Sequence, residues 1–238
     1  MSADKKNEPM TKEEFIRQLE ERIIRGKLAV GQKLPTEREF EQQTGIGKSA
    51  IHCALIELEH KGFINIIPRK GAYVANYARE GSADTLNEVL RCNGGRLSFK
   101  MSVEIVELRN AIEGGALIRL AAHHTDEDIA KLRSALDSLR SVDVNTTEIP
   151  EIAEIESRFH LLICELSGND MFSLVLNSFS QISAALWQTC ALFWGVDGFI
   201  KHDEELIGMI ERGEGHEAQK FIENVFAQFL DAFYKNKE

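Results

Sequence analysis

A glutamate and a histidine stand one helical turn apart in the second half of the chain. Glu156 and His160 are four residues apart in a segment with helical periodicity, so their side chains should point the same way. The apolar stripe of this segment passes close to Glu156, which indicates that the pair faces the interior of a helical bundle. The pair could hold a divalent metal ion such as Zn²⁺, line a metal-free polar pocket, or hydrogen bond beside the core. The residues alone leave these three alternatives open.

Two further polar groups lie on otherwise apolar helical faces. His202 shares the side of its helix that carries Leu206 and Met209. Arg109 lies on the apolar inner face of another helix, and an inward-facing arginine in a bundle needs a carboxylate partner. That partner is either Glu113, one turn later, or the carboxylate of an organic-acid ligand.

A second group of candidates is basic and lies in the first third of the chain. A helix predicted from about Lys48 to Lys61 has its apolar residues on one side, which leaves its first polar residues on the outer side. A basic tip, residues 68–71, joins two segments rich in β-branched residues. The residues that these patterns single out for contact with DNA are Lys48, Ser49, His52, Arg69, Lys70 and Gly71.

The elements around the basic candidates predict a winged helix-turn-helix. Thr36 and Glu39 form a capping box at the start of a short helix, which Gly45 ends. A second helix with an exposed basic start follows after a tight turn, which is the geometry that enters a DNA major groove. Segments 63–67 and 72–74 should form the two strands of a wing. With a helix from Thr11 to about Arg25, the expected domain has three helices and a two-stranded wing.

The remainder of the chain predicts an all-α bundle of six to seven helices, because helical periodicity dominates it. We therefore expect a mainly α protein with a disordered tail (1–10), a winged helix-turn-helix domain (11–76), a linker (77–84) and a helical effector-binding and dimerisation domain (85–238). The predicted helical segments are 83–92, 102–123, 126–141, 151–167, 170–191, 196–212 and 216–235.

Charge is divided unevenly along the chain, whose net charge is −10. Residues 1–78 carry 13 Lys and Arg against 11 Asp and Glu, a net +2, and the remainder carries −12. The acidic part needs no nucleic acid, and its charge would keep it away from a duplex. The absence of an apolar run of about 20 residues argues against a membrane helix. Because the N-terminus lacks an apolar signal core, we expect a cytoplasmic protein.

Residues 15–76 resemble the N-terminal domain of GntR-family transcription regulators. Residues 85–238 resemble, through sparser motifs, the C-terminal ligand-sensing domain of the FadR subgroup of that family. The motifs that carry the first resemblance are Ile24-Arg25-Gly26-Lys27-Leu28, Gly31 to Glu39, Ala54-Leu55 with Leu58, and Arg69 to Val74. Those that carry the second are Glu107-Leu108-Arg109 with Glu113, Phe159-His160, Leu166 to Asn169, and His202.

The first resemblance implies DNA contacts from Arg38, from two positions of the recognition helix and from the wing tip. Those two positions hold Lys48 and His52, where arginine is usual. An arginine fork binds guanine or phosphate through two hydrogen bonds, and neither substitute can do so. The departure puts the usual operator sequence in doubt, but not DNA binding.

The second resemblance implies an effector site on Arg109, Glu156, His160, His202 and Asn224, with Glu156, His160 and His202 as metal ligands. Glu156 stands where metal-binding members have Asp, and Asn224 stands where they have a final His. An asparagine offers only a neutral carbonyl oxygen and is a poor Zn²⁺ ligand. Members that bind fatty acyl-CoA also lack the full metal set, so both states remain open.

The expected function is a homodimeric transcription regulator whose operator affinity is controlled by a small acidic metabolite, an organic acid or an acyl-CoA. An enzyme would need Glu156, His160 and His202 to hold a metal-bound hydroxide, and no nucleophile motif or phosphate loop supports one. A third class, a DNA-architectural or interaction protein, would leave the helical domain without a ligand. A change in operator affinity on ligand binding distinguishes this class from the first.

Overall fold

The computed structural model describes residues 10–235 and forms two compact units that divide between Gly94 and Gly95. The tail predicted for residues 1–10 lies outside the described residues, except for Met10. Among the described residues, no helix combines the length and the apolar content needed to cross a membrane. The predicted fold class is confirmed: a winged helix-turn-helix precedes a helical bundle.

The helices of the first unit begin and end at the residues whose side chains favour caps. Thr11 and Thr36 each form a capping box, with Glu14 and Glu39 respectively, and Gly45 ends the second helix at φ 74°. The side chains of these two boxes satisfy backbone N–H groups that a helix start leaves free. The helices are α1 (Lys12–Ile24), α2 (Glu37–Thr44), α3 (Lys48–His60), α4 (Tyr77–Glu80) and α5 (Ala83–Cys92).

A two-stranded antiparallel wing follows α3. Strands β1 (Ile64–Ile67) and β2 (Gly71–Val74) pair with Ile64 opposite Val74 and Ile67 opposite Gly71. Ile64 and Val74 are buried, so the base of the wing joins the core that α1, α2 and α3 share, whereas the tip is exposed.

Helices α4 and α5 belong to the first unit, and α5 packs against its earlier helices. The Thr85 hydroxyl donates to the Lys61 carbonyl at 2.5 Å, and the buried Glu20 carboxylate pairs with Lys61 at 3.0 Å and Arg91 at 2.7 Å. A Cβ at Gly81 would lie 2.4 Å from a backbone oxygen, so only glycine fits this close approach. The division between units thus falls about ten residues after the linker that the sequence predicts at 77–84.

The second unit contains six helices among the described residues. Helix α6 packs along α11, and α8 packs along α10. Their buried faces form one apolar core that surrounds a small set of polar side chains. The helices are α6 (Phe99–His123), α7 (Asp126–Arg140), α8 (Ile149–Leu166), α9 (Asp170–Ser178), α10 (Ser180–Glu211) and α11 (Gly215–Lys235).

The path between residues 170 and 212 differs from the sequence prediction. Instead of helices at 170–191 and 196–212, the chain breaks near Phe179 and then continues as α10 through a kink at Gly195. Gly195 has φ 65°, a backbone conformation that glycine adopts at little cost. The kink changes the direction of the helix between Trp187 and Asp203, both of which are buried.

Candidate functional site

A cluster of charged side chains is buried in the middle of the second unit. Helix α6 contributes Arg109 and Glu113, α8 contributes Glu156 and His160, and α10 contributes Asp203. None of these side chains is more than 3% exposed. Buried charges need partners, because leaving water costs each of them several kcal/mol, on the order of the stability of a domain.

The imidazole of His160 lies between two carboxylates. Its Nδ1 is 2.8 Å from Oε2 of Glu113, and its Nε2 is 3.5 Å from Oε1 of Glu156. Because a carboxylate can only accept, the Glu113 contact places a hydrogen on Nδ1 and leaves Nε2 facing Glu156. Burial alone would lower the pKa of His160, but the two carboxylates, Glu113 above all, raise it above its ordinary value.

Glu156, His160 and Asp203 can offer one ligand atom each within 4.8 Å of one another. Oε2 of Glu156 and both carboxyl oxygens of Asp203 have no hydrogen-bond partner within the described part of the chain. Burial and the neighbouring Glu156 raise the pKa of Asp203 well above its ordinary value. Two acids and an imidazole with free oxygens form a donor set that suits a divalent cation.

Arg109 is committed to protein partners. Its guanidinium pairs with Glu113 at 2.5 Å, donates to the Ser183 hydroxyl at 3.0 Å and lies 4.8 Å from the ring centroid of Trp187. Burial favours the neutral form of Glu113, but Arg109 and then His160 hold its pKa below the ordinary value. Of the two partners that the sequence allows for Arg109, the structure thus shows Glu113.

The cavity beside the cluster is small. Its volume is about 10 Å³, close to the space that a single water molecule requires. Aromatic side chains close it, and the tilted ring of Trp187 lies against His160 with ring centroids 4.5 Å apart. The cavity therefore has room for one ion or one water, and an organic acid would need these side chains to move. The lining residues include Glu156, His160, Trp194, His202, Phe221 and Phe226.

Two members of the predicted effector set occupy other places. His202 lines the cavity but does not belong to the group of ligand atoms around Glu156, and burial lowers its pKa. Asn224 is exposed on α11 and does not line the cavity, whereas its neighbour Val225 does.

Sequence reasoning missed Asp203 because the adjacent His202 is the more familiar ligand. Asp203 precedes Ile207 by four residues and Ile210 by seven, and all three are buried. This spacing places the carboxylate on the inner face of α10, and His202 is turned toward its edge. The apolar phase of the helix was the signal that could have found it.

The second candidate surface is the exposed face of α3. Lys48, Ser49 and His52 are exposed there, whereas Ile51 and Leu55 are buried. Arg38 is exposed on α2, the preceding helix of the helix-turn-helix. The structure therefore brings the predicted residues of the two helices to the solvent side of the motif.

His52 is oriented by a residue that the sequence analysis did not single out. Its Nδ1 lies 2.7 Å from Oε1 of Glu37, on α2. The carboxylate accepts from Nδ1–H, so Nε2 of a neutral ring remains an outward-facing acceptor. Among base edges in the major groove, an acceptor matches the amino groups of adenine and cytosine.

The wing tip is exposed and has a turn conformation. Arg69 has φ 63°, the one positive φ of a non-glycine residue in the described chain, and Gly71 has φ 108°. Arg69 and Lys70 are exposed. No ion pair involves either of them among residues 10–235, so both charges are free to contact phosphate.

Comparisons with known proteins agree with both units. The family described as "Bacterial regulatory proteins, gntR family" matches residues 11–74, and the FCD domain matches residues 104–228. A solved structure described as "Lar controls the expression of the Listeria monocytogenes agr system and mediates virulence" has a TM-score of 0.61. It is 16% identical, and the match covers 96% of this chain and 99% of that chain, which shows the fold.

Curated relatives are transcription regulators rather than enzymes, as the sequence predicts. The chain is 32% identical over 176 residues to the HTH-type transcriptional repressor NanR of Salmonella bongori, a match that covers 73% of this chain and 62% of that protein. It is 26% identical over 166 residues to the Glc operon transcriptional activator of Escherichia coli K12, covering 69% and 63%. The matches thus span a little over three fifths of these relatives. The chain belongs to the GntR family of bacterial regulatory proteins, with a GntR helix-turn-helix domain followed by an FCD domain.

Proposed function

We propose that this protein is a DNA-binding transcription regulator whose affinity for its operator is controlled by a small acidic metabolite bound in the helical bundle. The observation that carries DNA binding is the exposed face of Lys48, Ser49 and His52 on the second helix of a winged helix-turn-helix. The free basic charges of the wing tip support it, because phosphate contacts supply most of the affinity for a duplex. Arg38 adds a further cation on α2.

The bundle is proposed to hold a divalent cation, such as Zn²⁺, on Glu156, His160 and Asp203. The unpartnered buried oxygens of Glu156 and Asp203 fit such an ion, and the small cavity that Glu156 and His160 line lies beside them. Glu113 would orient the imidazole ligand through Nδ1. When bound, the cation supplies a positive charge that can accept an anionic ligand.

Charge favours a role for the cation in effector binding. Three carboxyl groups surround His160 and Arg109, and Arg109 is already paired with Glu113. A carboxylate effector would therefore meet no free positive charge in the described cluster unless a cation is bound. We therefore expect operator affinity to respond to an organic acid only when the cation is bound.

The regulator is proposed to act as a homodimer. One winged domain covers one half-site, and two half-sites lie about one helical turn, ~34 Å, apart on DNA. The second unit is the larger of the two, and the exposed helix faces of the first unit are proposed to contact DNA, which makes the second unit the candidate for the surface that joins two copies.

A DNA-binding protein with a ligand-free helical domain is the alternative, and the nearly closed cavity favours it. One experiment separates the two functions. The full chain selects DNA from a random pool, and its affinity for the selected duplex is measured with and without Zn²⁺ and a panel of small organic acids. The proposal expects an affinity change with at least one acid, and only in the presence of metal. An affinity that no acid changes would favour the alternative, and a failure to select any DNA would contradict both.

A further inference from the structure

One face of α8 carries unpaired charges around an apolar centre. Arg158 and Glu165 are exposed, and Leu161 and Leu162, between them, are half-buried. Arg158 and Glu165 are seven residues apart, so they lie about 20° apart around the helix and ~10.5 Å apart along it. Neither has an ion-pair partner within residues 10–235, although the two charges are opposite and share the same side of the helix.

This face forms one wall of an open groove on the second unit. The groove has a volume of about 920 Å³, and Ile155, Arg158, Leu161, Leu162 and Glu165 all line it. Its other walls come from α7, α9 and the first turns of α10. A helix or an extended segment could lie in this groove, whereas a small-molecule site typically encloses most of its ligand and this groove is open to solvent.

The apolar surface continues from the groove onto α9. Met171 and Leu174 are 56% and 57% exposed, and Val175 is 38% exposed. Leu161 and Glu165 also line the smaller depression that contains Met171 and Leu174, so the two apolar areas are contiguous. A contiguous exposed patch rimmed by charges is typical of a protein–protein interface.

The charge order on α8 is complementary to itself. If a second copy of α8 crosses antiparallel about a two-fold axis between Leu161 and Leu162, Arg158 of one copy lies opposite Glu165 of the other. The same operation repeats the pair on the far side of the axis, because contacts of a two-fold interface occur twice. Leu161 and Leu162 then meet their own counterparts at the centre. No foreign partner is needed to match these two charges.

We propose that the face formed by α8 and α9, centred on Leu161 and Leu162, is the surface through which two copies of this chain associate. The inference deepens the proposed function, because it rests on the regulator acting as a dimer. Helix α8 is 18 residues long, about 27 Å, and the nine residues of α9 extend the face.

Charge reversal tests the proposal on the full chain. Arg158→Glu and Glu165→Arg should each replace two attractive contacts by two repulsive ones and weaken self-association by roughly 10- to 100-fold. The double variant, Arg158→Glu with Glu165→Arg, restores both pairs with opposite polarity and should recover a dissociation constant within about threefold of the wild type. Lys100→Glu is the matched control, since Lys100 is an 84% exposed cation on α6, and it should change nothing.

Sedimentation velocity over a range of concentrations measures the dissociation constants, and circular dichroism checks that each variant is folded. We expect the wild type to sediment at twice 26.8 kDa at micromolar concentration. A dimer that both single reversals leave within twofold of the wild type would overturn the surface while the dimer proposal stands. So would a double variant no tighter than either single one. A wild-type chain that stays monomeric would overturn both the proposed surface and the proposed dimer. The binding of the same samples to a duplex with a single half-site reports separately on DNA recognition.

Discussion

Oε2 of Glu113, on α6, lies 2.8 Å from Nδ1 of His160, on α8. The contact fixes which ring nitrogen carries hydrogen and turns Nε2 toward Glu156 and Asp203. Histidines that bind metal in proteins commonly donate their other N–H to a carboxylate in this way, and that partner orients the ring and raises its basicity. Glu113 is therefore a positioning residue for the proposed cation site, and Arg109 holds Glu113 in turn.

Glu113→Gln should weaken metal binding without removing a ligand. Loss of such a partner carboxylate typically lowers metal affinity by about 10- to 100-fold. Competition with a chromogenic chelator measures the Zn²⁺ affinity of the full chain, and thermal unfolding without metal reports any loss of stability. Glu127→Gln, at an exposed position of α7, is the matched control and should leave the affinity unchanged. Equal affinities for Glu113→Gln and the wild type would remove the positioning role.

The identity of the third ligand can be tested at adjacent positions. The single variants Asp203→Asn and His160→Ala should each lose metal binding, because each removes one of the three converging ligands. His202→Ala and Asn224→Ala should retain it, since neither residue belongs to that group. Elemental analysis of the purified variants measures the outcome. Loss of metal in His202→Ala and retention in Asp203→Asn would support the ligand set that the resemblance implies instead.

His52 should read one base pair in each half-site. With Nδ1 bonded to Glu37, the outward Nε2 of a neutral ring can accept from adenine or cytosine. His52→Arg should shift the preference at one position toward guanine, because an arginine fork donates to O6 and N7; such a pair discriminates by about 1–3 kcal/mol. Sequencing of DNA selected from a random pool measures the preference.

The control for this change is His60→Arg, the same substitution on the exposed last turn of α3. It should leave the selected sequence unaltered. The assignment fails if His60→Arg shifts the preference as strongly as His52→Arg, or if His52→Arg shifts nothing. Glu37→Gln should weaken the preference at the same base pair, because the amide no longer fixes the ring hydrogen on Nδ1.

Helix α5 should be as protected as the helices of the winged unit. Glu20 is 1% exposed and binds Lys61 and Arg91, so α5 is joined to α1 and α3 through a buried carboxylate. Arg91→Ala should increase the hydrogen exchange of α5, since a hydrogen bond to a charged group contributes about 1.5–3 kcal/mol. Mass spectrometry of the exchanged chain resolves α5 from the bundle. Arg79→Ala, at an exposed site nearby, should have no such effect, and rapid exchange of α5 in the wild type would contradict its place in the unit.

The winged unit could be predicted from sequence because its signals are local. Thr36 and Glu39 are three residues apart, Gly45 marks the turn, and the strands lie on either side of a four-residue tip. Their caps and turns fix the elements to within one or two residues. The resemblance to GntR regulators implies DNA contacts from the start of α3, and the structure exposes those residues.

Longer-range features could not be predicted in the same way. Glu20 and Arg91 are 71 residues apart, so nothing local shows that α5 packs on the first unit. The kink at Gly195 depends on how α10 packs against α8. The resemblance to metal-binding relatives implies His202 as a ligand, whereas the buried face of α10 carries the adjacent Asp203.

The central claim, DNA binding through the exposed side of α2 and α3, is tested most directly by the salt dependence of operator affinity. Fluorescence anisotropy with the selected duplex compares the wild type with the double variant Arg38→Ala and Lys48→Ala, with Lys100→Ala as a control far along the chain. Each lost phosphate contact should reduce the slope of log K against log salt by about 0.9, so the account predicts a slope lower by up to about 1.8 and a weaker affinity at every salt concentration. An unchanged affinity and slope in the double variant would contradict the account.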